Sequence, residues 1–218
     1  MLLGKRRSAL PAMMTVAGML VCIGAKDAVA ISNDTFARSK TFEKRTARAS
    51  EEIGRYLSQL DRTEQALGSI PKAKEKDLRK RYTSFSGEYT KLQREQQHVT
   101  TEVNRLESTG AEYFVSWAQS NAHIADSGLQ EASTNRRAAV LAERDALAAS
   151  LSDVGSQLQS FMSKLHDLEE FLGADLSAAN AAEASEMIWQ SQADAQTLKD
   201  KIGIVEAKLR HFQSGTAE

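Results

Sequence analysis

Proline is almost missing from this 218-residue chain, which holds only Pro11 and Pro71. So few turn breakers exclude an all-β chain and make an alternating α/β chain hard to build. Cysteine occurs once, at Cys22, so no disulfide framework is available within the chain. Aromatic residues make up only 6%. Formal charge is nearly balanced at -1, with 28 Lys and Arg against 29 Asp and Glu. That balance argues against a chain that is basic throughout, the usual footprint of general nucleic-acid binding. No stretch shows the period-2 alternation of a half-buried strand.

The N-terminal residues read as an address. Lys5-Arg6-Arg7 forms a basic end, an apolar run follows from Ala9 to Ile23, and Ala28-Val29-Ala30 supplies small residues at the exit. The run is short and interrupted for a membrane span, which needs about 20 apolar residues. Basic end, apolar middle and A-x-A exit define a cleaved secretory signal over 1–30, leaving 31–218 as a single elongated helical domain. Cys22 offers a lipidation alternative, but Val21 and Met19 fit that motif poorly. Arg6-Arg7 is also a weak match to a twin-arginine export signal. Four of the 28 cations (Lys5, Arg6, Arg7, Lys26) and one of the 29 anions (Asp27) leave with the signal. The remainder carries 24 basic and 28 acidic residues and no cysteine, so neither a thiolate metal site nor a cysteine nucleophile is expected. The expected compartment is the periplasm.

What is abundant is helical spacing. Leu78, Tyr82, Phe85, Tyr89, Leu92, Gln96, Val99, Val103, Leu106, Gly110, Tyr113 and Trp117 form an almost unbroken 4-3 series. Val140, Arg144, Leu147, Leu151, Val154, Leu158, Phe161, Leu165, Leu168 and Leu172 form another. Ile188, Ser191, Ala195, Leu198, Ile202, Val205, Leu209 and Phe212 continue the pattern, and Ile53, Leu57, Leu60, Glu64 and Leu67 begin it. Such stripes hold one face of a helix against a partner. The spacing predicts an all-α fold, an elongated antiparallel coiled coil or helical bundle with long helices over 35–69, 73–126, 129–172 and 177–212. Gly68 to Pro71 marks the first turn, and Asp126-Ser127-Gly128 the second, with Asp126 or Ser127 as cap. Gly173 to Ser177 is the softest break, through which a continuous helix remains an alternative. Short connections make neighbours antiparallel, which sets residue 173 beside residue 82.

That fold brings two charge blocks to one end. Residues 72–81 hold Lys72, Lys74, Lys76, Arg79, Lys80 and Arg81, whereas 165–198 contain seven acids and no Lys or Arg. The pairing expected is between these blocks within the chain. The competing reading makes Lys76, Arg79 and Lys80 a docking surface for anionic lipid or nucleic acid.

Tyr113-Phe114-Val115-Ser116-Trp117, followed by His123-Ile124-Ala125-Asp126 and then Leu129 to Ser133, resembles a bacterial family of exported helical proteins, domain of unknown function 2959. The features in common are an aromatic-Trp helix end, an Ile-x-Asp turn, a Leu-x-x-x-Ser helix start and a long amphipathic helix, and the resemblance covers residues 36–212. It implies compartment and architecture, and no activity. Two departures stand out. Val21-Cys22 is a poor lipobox, and Phe171 to Ala178 does not follow the family's Leu-Lys-His-Asn-Leu-Asn-Ala segment.

Chemistry is sparse. His98, His123, His166 and His211 stand apart, and none has a second histidine at helical spacing. No phosphate-binding glycine loop or Gly-x-Ser-x-Gly elbow occurs. The reading is therefore a protein that is not an enzyme and needs no cofactor or metal: a structural or scaffolding coiled coil of the bacterial envelope. A periplasmic holdase-like chaperone and a membrane-surface assembly protein are the alternatives. Its partners are expected to be envelope proteins, with self-association as a further option, no nucleic acid, and membrane association not favoured. Tyr113 and Trp117 are in register with the seam and expected in the core. Phe114 lies one step off it, where it either widens the seam or stands exposed, and Phe114 and Trp117 are the apolar candidates for a partner contact.

Overall fold

The computed structural model describes the backbone of residues 25–215 and the side chains of 33–212. Cys22 and the basic and apolar parts of the leader lie outside the described residues. The Ala28-Val29-Ala30 exit falls in the first turns of a helix. Among the described residues five helices follow one another: α1 (Ala25–Leu67), α2 (Glu75–Asn121), α3 (Ser127–Ala174), α4 (Ala178–Glu183) and α5 (Ser185–Gly215). Four are long. At 1.5 Å per residue, the 47 residues of α2 extend roughly 70 Å.

The boundaries follow local chemistry. α1 begins at Ala25 rather than 35, because no glycine or proline interrupts the chain there. It ends where Gly68 donates to the Glu64 carbonyl at 2.8 Å and Pro71 blocks continuation. α2 stops at Asn121 rather than 126, since Asp126 must be extended to cap α3, and its carboxylate accepts from the Leu129 amide at 2.9 Å. The helix does not run through Gly173 to Ser177. Asp175 is extended, its carboxylate accepts from the Ser177 amide at 3.0 Å, and the Ser177 hydroxyl accepts from the Asn180 amide at 3.2 Å. Asn180 closes the corner by donating to the carbonyls of Phe171 (3.0 Å) and Asp175 (2.7 Å). The expected fourth helix is therefore a short α4 and a long α5, parted at Ala184.

α1 packs against α2 and α3 against α5, while α1–α5 and α2–α3 contacts close the ring. Every neighbouring pair is antiparallel, giving an up-down-up-down bundle. The register between α2 and α3 matches the one expected from the turn. A Cβ placed on Gly173 would stand 2.5 Å from the Tyr82 hydroxyl. All eight residues of the α5 series, Ile188 through Phe212, are buried, as are Leu60, Phe85, Leu92, Leu165 and Leu168. One hydrophobic core runs the length of the rod.

The seam of α2 shifts along its length. Phe114 is buried at 3% exposure, while Tyr113 and Trp117 are half-buried, so Phe114 is a core residue and not a surface contact. A helix slips about 20° per heptad against a strict seven-residue repeat. From Leu78 to Tyr113 is five heptads, so the slip reaches about 100°, the rotation of one residue. The inward position thus moves from 113 to 114, and Leu106, Gly110 and Phe114 replace the 4-3 series with a 4-4 one.

Polar residues in the interior have specific consequences. Between α1 and α2, Gln59 donates to the carboxylate of Glu88 at 2.7 Å, and Arg45 reaches Glu102 at 3.2 Å. Lys91 and Gln59 hold Glu88 below the usual carboxylate range, and Arg105 with Arg45 does the same for Glu102. Both groups therefore contribute stability that is present at neutral pH and lost as pH falls through the carboxylate range. The melting midpoint should decline below about pH 5, and Glu88→Gln/Glu102→Gln should flatten that decline. Unchanged slopes in a pH series of thermal melts would count against these pairs. Tyr56 differs: its hydroxyl is buried, and it finds no hydrogen-bond partner among the described residues. Burial pushes its ionisation far up. Tyr56→Phe removes an unsatisfied group without changing the ring, so it should raise stability by about 1 kcal/mol, read from urea titration.

Candidate functional site

The two ends of the rod differ in chemistry. Toward the α2–α3 turn, aromatic rings from α2 and α5 gather around Phe42 of α1. Its ring stacks on Tyr113 (centroids 5.8 Å apart) and meets Phe114 and Phe212 edge-on at 6.1 and 5.4 Å. Gly110 makes room, since a Cβ there would be 2.9 Å from the Phe42 ring. Arg144, the polar break of the α3 series, lays its guanidinium 5.4 Å from the Phe114 centroid and pairs with Asp145 at 2.6 Å. Trp117 donates its indole N–H to Ser133 at 3.2 Å, and Asn121 donates to Thr134 at 2.7 Å. An apolar pocket of about 210 Å³ lies beside Phe42, Leu106 and Leu147, with Arg144 at its rim.

The motif read around this turn thus has a structural explanation. The Trp of the helix end bonds the Ser of the next helix start, and the Asp between them caps that helix. Trp117 is occupied by that bond and half-buried. The exposed apolar residues near this end are Phe36, Val115 and Leu129, between 59% and 66% exposed.

The opposite end carries charge. Lys72, Lys74, Lys76, Arg79, Lys80 and Arg81 are all exposed around the start of α2. The acids of 165–198 occupy the end of α3, α4 and the start of α5, so the two blocks do share an end. Direct pairing between them does not occur: among the described residues, no ion pair joins 72–81 to 165–198. Geometry explains this. The inner flanks of these helices are taken by Tyr82 against Gly173 and by Ser86 donating to Glu169, which leaves the long cationic chains on the outer side. Lys76, Arg79 and Lys80 therefore remain solvent-facing.

A cleft of about 570 Å³ opens here between the α1–α2 turn and α5, lined by Gly68, Pro71, Lys72, Glu186, Trp189 and Gln192. Trp189 is 67% exposed. Sequence reasoning passed over it because it stands beside Ile188 and outside the seam. A tryptophan one step off an otherwise regular series was the available signal. Met187 and Phe171 are also substantially exposed near this end.

One partly buried ion cluster ties α1 to α5. Lys199 contacts Asp61 at 2.6 Å and bonds Glu64, the polar break of the first series. Burial pushes the Glu64 carboxyl up despite its lysine partner. For Lys199, burial works downward but the bonds from Asp61 and Glu64 outweigh it, so the ammonium stays charged. Lys199→Met leaves Glu64 facing the seam without a counter-ion and should cost about 2 kcal/mol, whereas Glu64→Leu/Lys199→Met should recover most of that. Equal destabilisation of single and double variants in urea titration would show the pair to be unimportant.

The histidines stay apart. His166 lies 3.6 Å from Glu170 and His211 3.6 Å from Glu143. Among the described residues, no group of three or more His, Cys, Asp or Glu is placed to hold a metal ion. No helix among them is long and apolar enough to cross a membrane.

Fold and ends together define an all-helical, antiparallel four-helix rod with an added short helix at one corner. The model of the family described as "Protein of unknown function (DUF2959)" matches residues 40–209. The chain belongs to that family. No curated protein and no solved structure matches it.

Proposed function

We propose that this protein is a non-enzymatic scaffold of the bacterial envelope, exported by the signal at 1–30 and binding partner proteins from the periplasm. The observation that supports this most is how the apolar residues are spent. The seam positions of four long helices are turned into one core, and the rod keeps a charged surface with exposed apolar side chains such as Trp189 and Leu129 toward its ends. A rod with specific ends suits bridging, and its near-absence of long loops leaves little of the irregular backbone on which catalytic groups usually sit.

Crosslinking in intact envelope, followed by purification, tests this reading. A small and reproducible set of folded envelope proteins is expected. A broad set of unfolded clients, together with suppression of aggregation in a light-scattering assay, would replace the scaffold with a holdase working through the apolar pocket beside Phe42. N-terminal sequencing of the exported form should begin at Ile31, and a start at lipidated Cys22 would overturn the soluble periplasmic assignment.

A further inference from the structure

We infer that the charged end of the rod is a self-docking surface, at which a second copy of this chain binds head to head. Six exposed cations stand within residues 72–81, where only Glu75 and Asp77 offset them. Across the same end, Asp167, Glu170, Asp175, Glu183 and Glu186 are exposed on a stretch without Lys or Arg. Lys72 and Glu186 even line one cleft, yet they form no ion pair. The chain therefore carries two complementary charge fields on the two halves of one surface, and its own fold keeps them apart. A two-fold axis across that surface sets the basic half of each copy on the acidic half of the other, satisfying both fields twice. Self-complementarity of this kind is what a closed dimer requires.

The surface also has an apolar anchor. Trp189 is two-thirds exposed in the cleft between Lys72 and Gln192. Tryptophan among charged residues is the composition of an interface centre with a polar rim. The occupant is a second copy rather than an anionic membrane because the acidic half would face the lipid charge and be repelled. It holds whatever the compartment, and a monomer with well-defined envelope partners would refute it while leaving the scaffold reading intact.

The test uses protein expressed from the full-length chain and sedimentation equilibrium. Wild-type protein should dimerise, with Kd weakening about tenfold or more between roughly 50 and 500 mM salt. Lys76→Glu/Arg79→Glu/Lys80→Glu should be monomeric under the same conditions, and so should Glu170→Lys/Glu183→Lys/Glu186→Lys. All six positions are exposed, so both variants should keep the wild-type helical circular dichroism spectrum and unfold cooperatively. Mixed in equal amounts, the two variants should form a heterodimer, because each reversed block then meets its opposite. Trp189→Ser should weaken the wild-type dimer without altering its salt dependence. Three results would overturn the inference: a monomeric wild type at about 100 μM, a dimer indifferent to both reversals, or reversed variants that stay apart when mixed. A monomer that binds phosphatidylglycerol vesicles through Lys76, Arg79 and Lys80 would replace self-docking with lipid docking.

Discussion

Leu92→Asp will abolish the cooperative thermal transition of this protein. Leu92 is fully buried midway along α2, in a core continuous from end to end. Removing the leucine's bulk alone costs about 2–5 kcal/mol, and the carboxylate adds the penalty of an unpaired polar group in an apolar seam. Against a typical total of about 5–15 kcal/mol, the sum consumes most or all of the stability. Leu158→Asp is the informative companion. Leu158 is 9% exposed, against 0% for Leu92, so its carboxylate can reach water and its cost should be smaller. Circular dichroism at 222 nm through a thermal ramp measures both. A Leu92→Asp protein melting cooperatively within a few degrees of wild type would mean the α2 seam is not buried as described.

Phe42→Ala should cost about 3–5 kcal/mol, the range for deleting a buried aromatic ring. The upper part of that range is expected for two reasons. Phe42 contacts the rings of Tyr113, Phe114 and Phe212, so its loss strips partners from two other helices. It also borders the existing apolar pocket, and the deletion would enlarge a void that rigid helices cannot close. Gly110 provides the check. Gly110→Leu alone should destabilise, because its Cβ meets the Phe42 ring at 2.9 Å. In the Phe42→Ala background, the same substitution fills the vacated space and should recover part of the loss. A coupling energy near zero across this double-mutant cycle would show that the two residues do not share the space.

Most of the architecture was legible in the sequence because helical periodicity and antiparallel turns are strong local signals. The α5 series is buried at every position read for it, and the turn near residue 127 correctly sets 173 against 82. Phe114 stayed open between widening the seam and standing exposed, because a seven-residue rule carried through five heptads accumulates one residue of error. The corner at Asp175 was only half legible. Its cap depends on Asn180 reaching back to Phe171, a contact that spacing does not announce. The charge blocks were located but not correctly joined. Sequence gives the end on which a lysine sits, but not whether its flank is already filled by a Tyr82 or a Ser86. The unpaired Tyr56 hydroxyl was invisible to pattern, since its meaning comes from its neighbours, whereas the exposed Trp189 was announced only by its place one step off the α5 series.

Up-down-up-down connectivity has a mechanical consequence. The N-terminal half of α1 and the last turns of α5 run side by side at the aromatic end, where Phe42 meets Phe212. Tension applied between those two segments peels α1 from α5 one turn at a time, a zipper geometry that opens at low force. Compression along the rod loads four parallel columns at once, with every turn sharing the load. The molecule is therefore soft when pulled by its ends and stiff when used as a strut, and an optical-trap comparison of terminal attachment with attachment through opposite tips would show the difference directly.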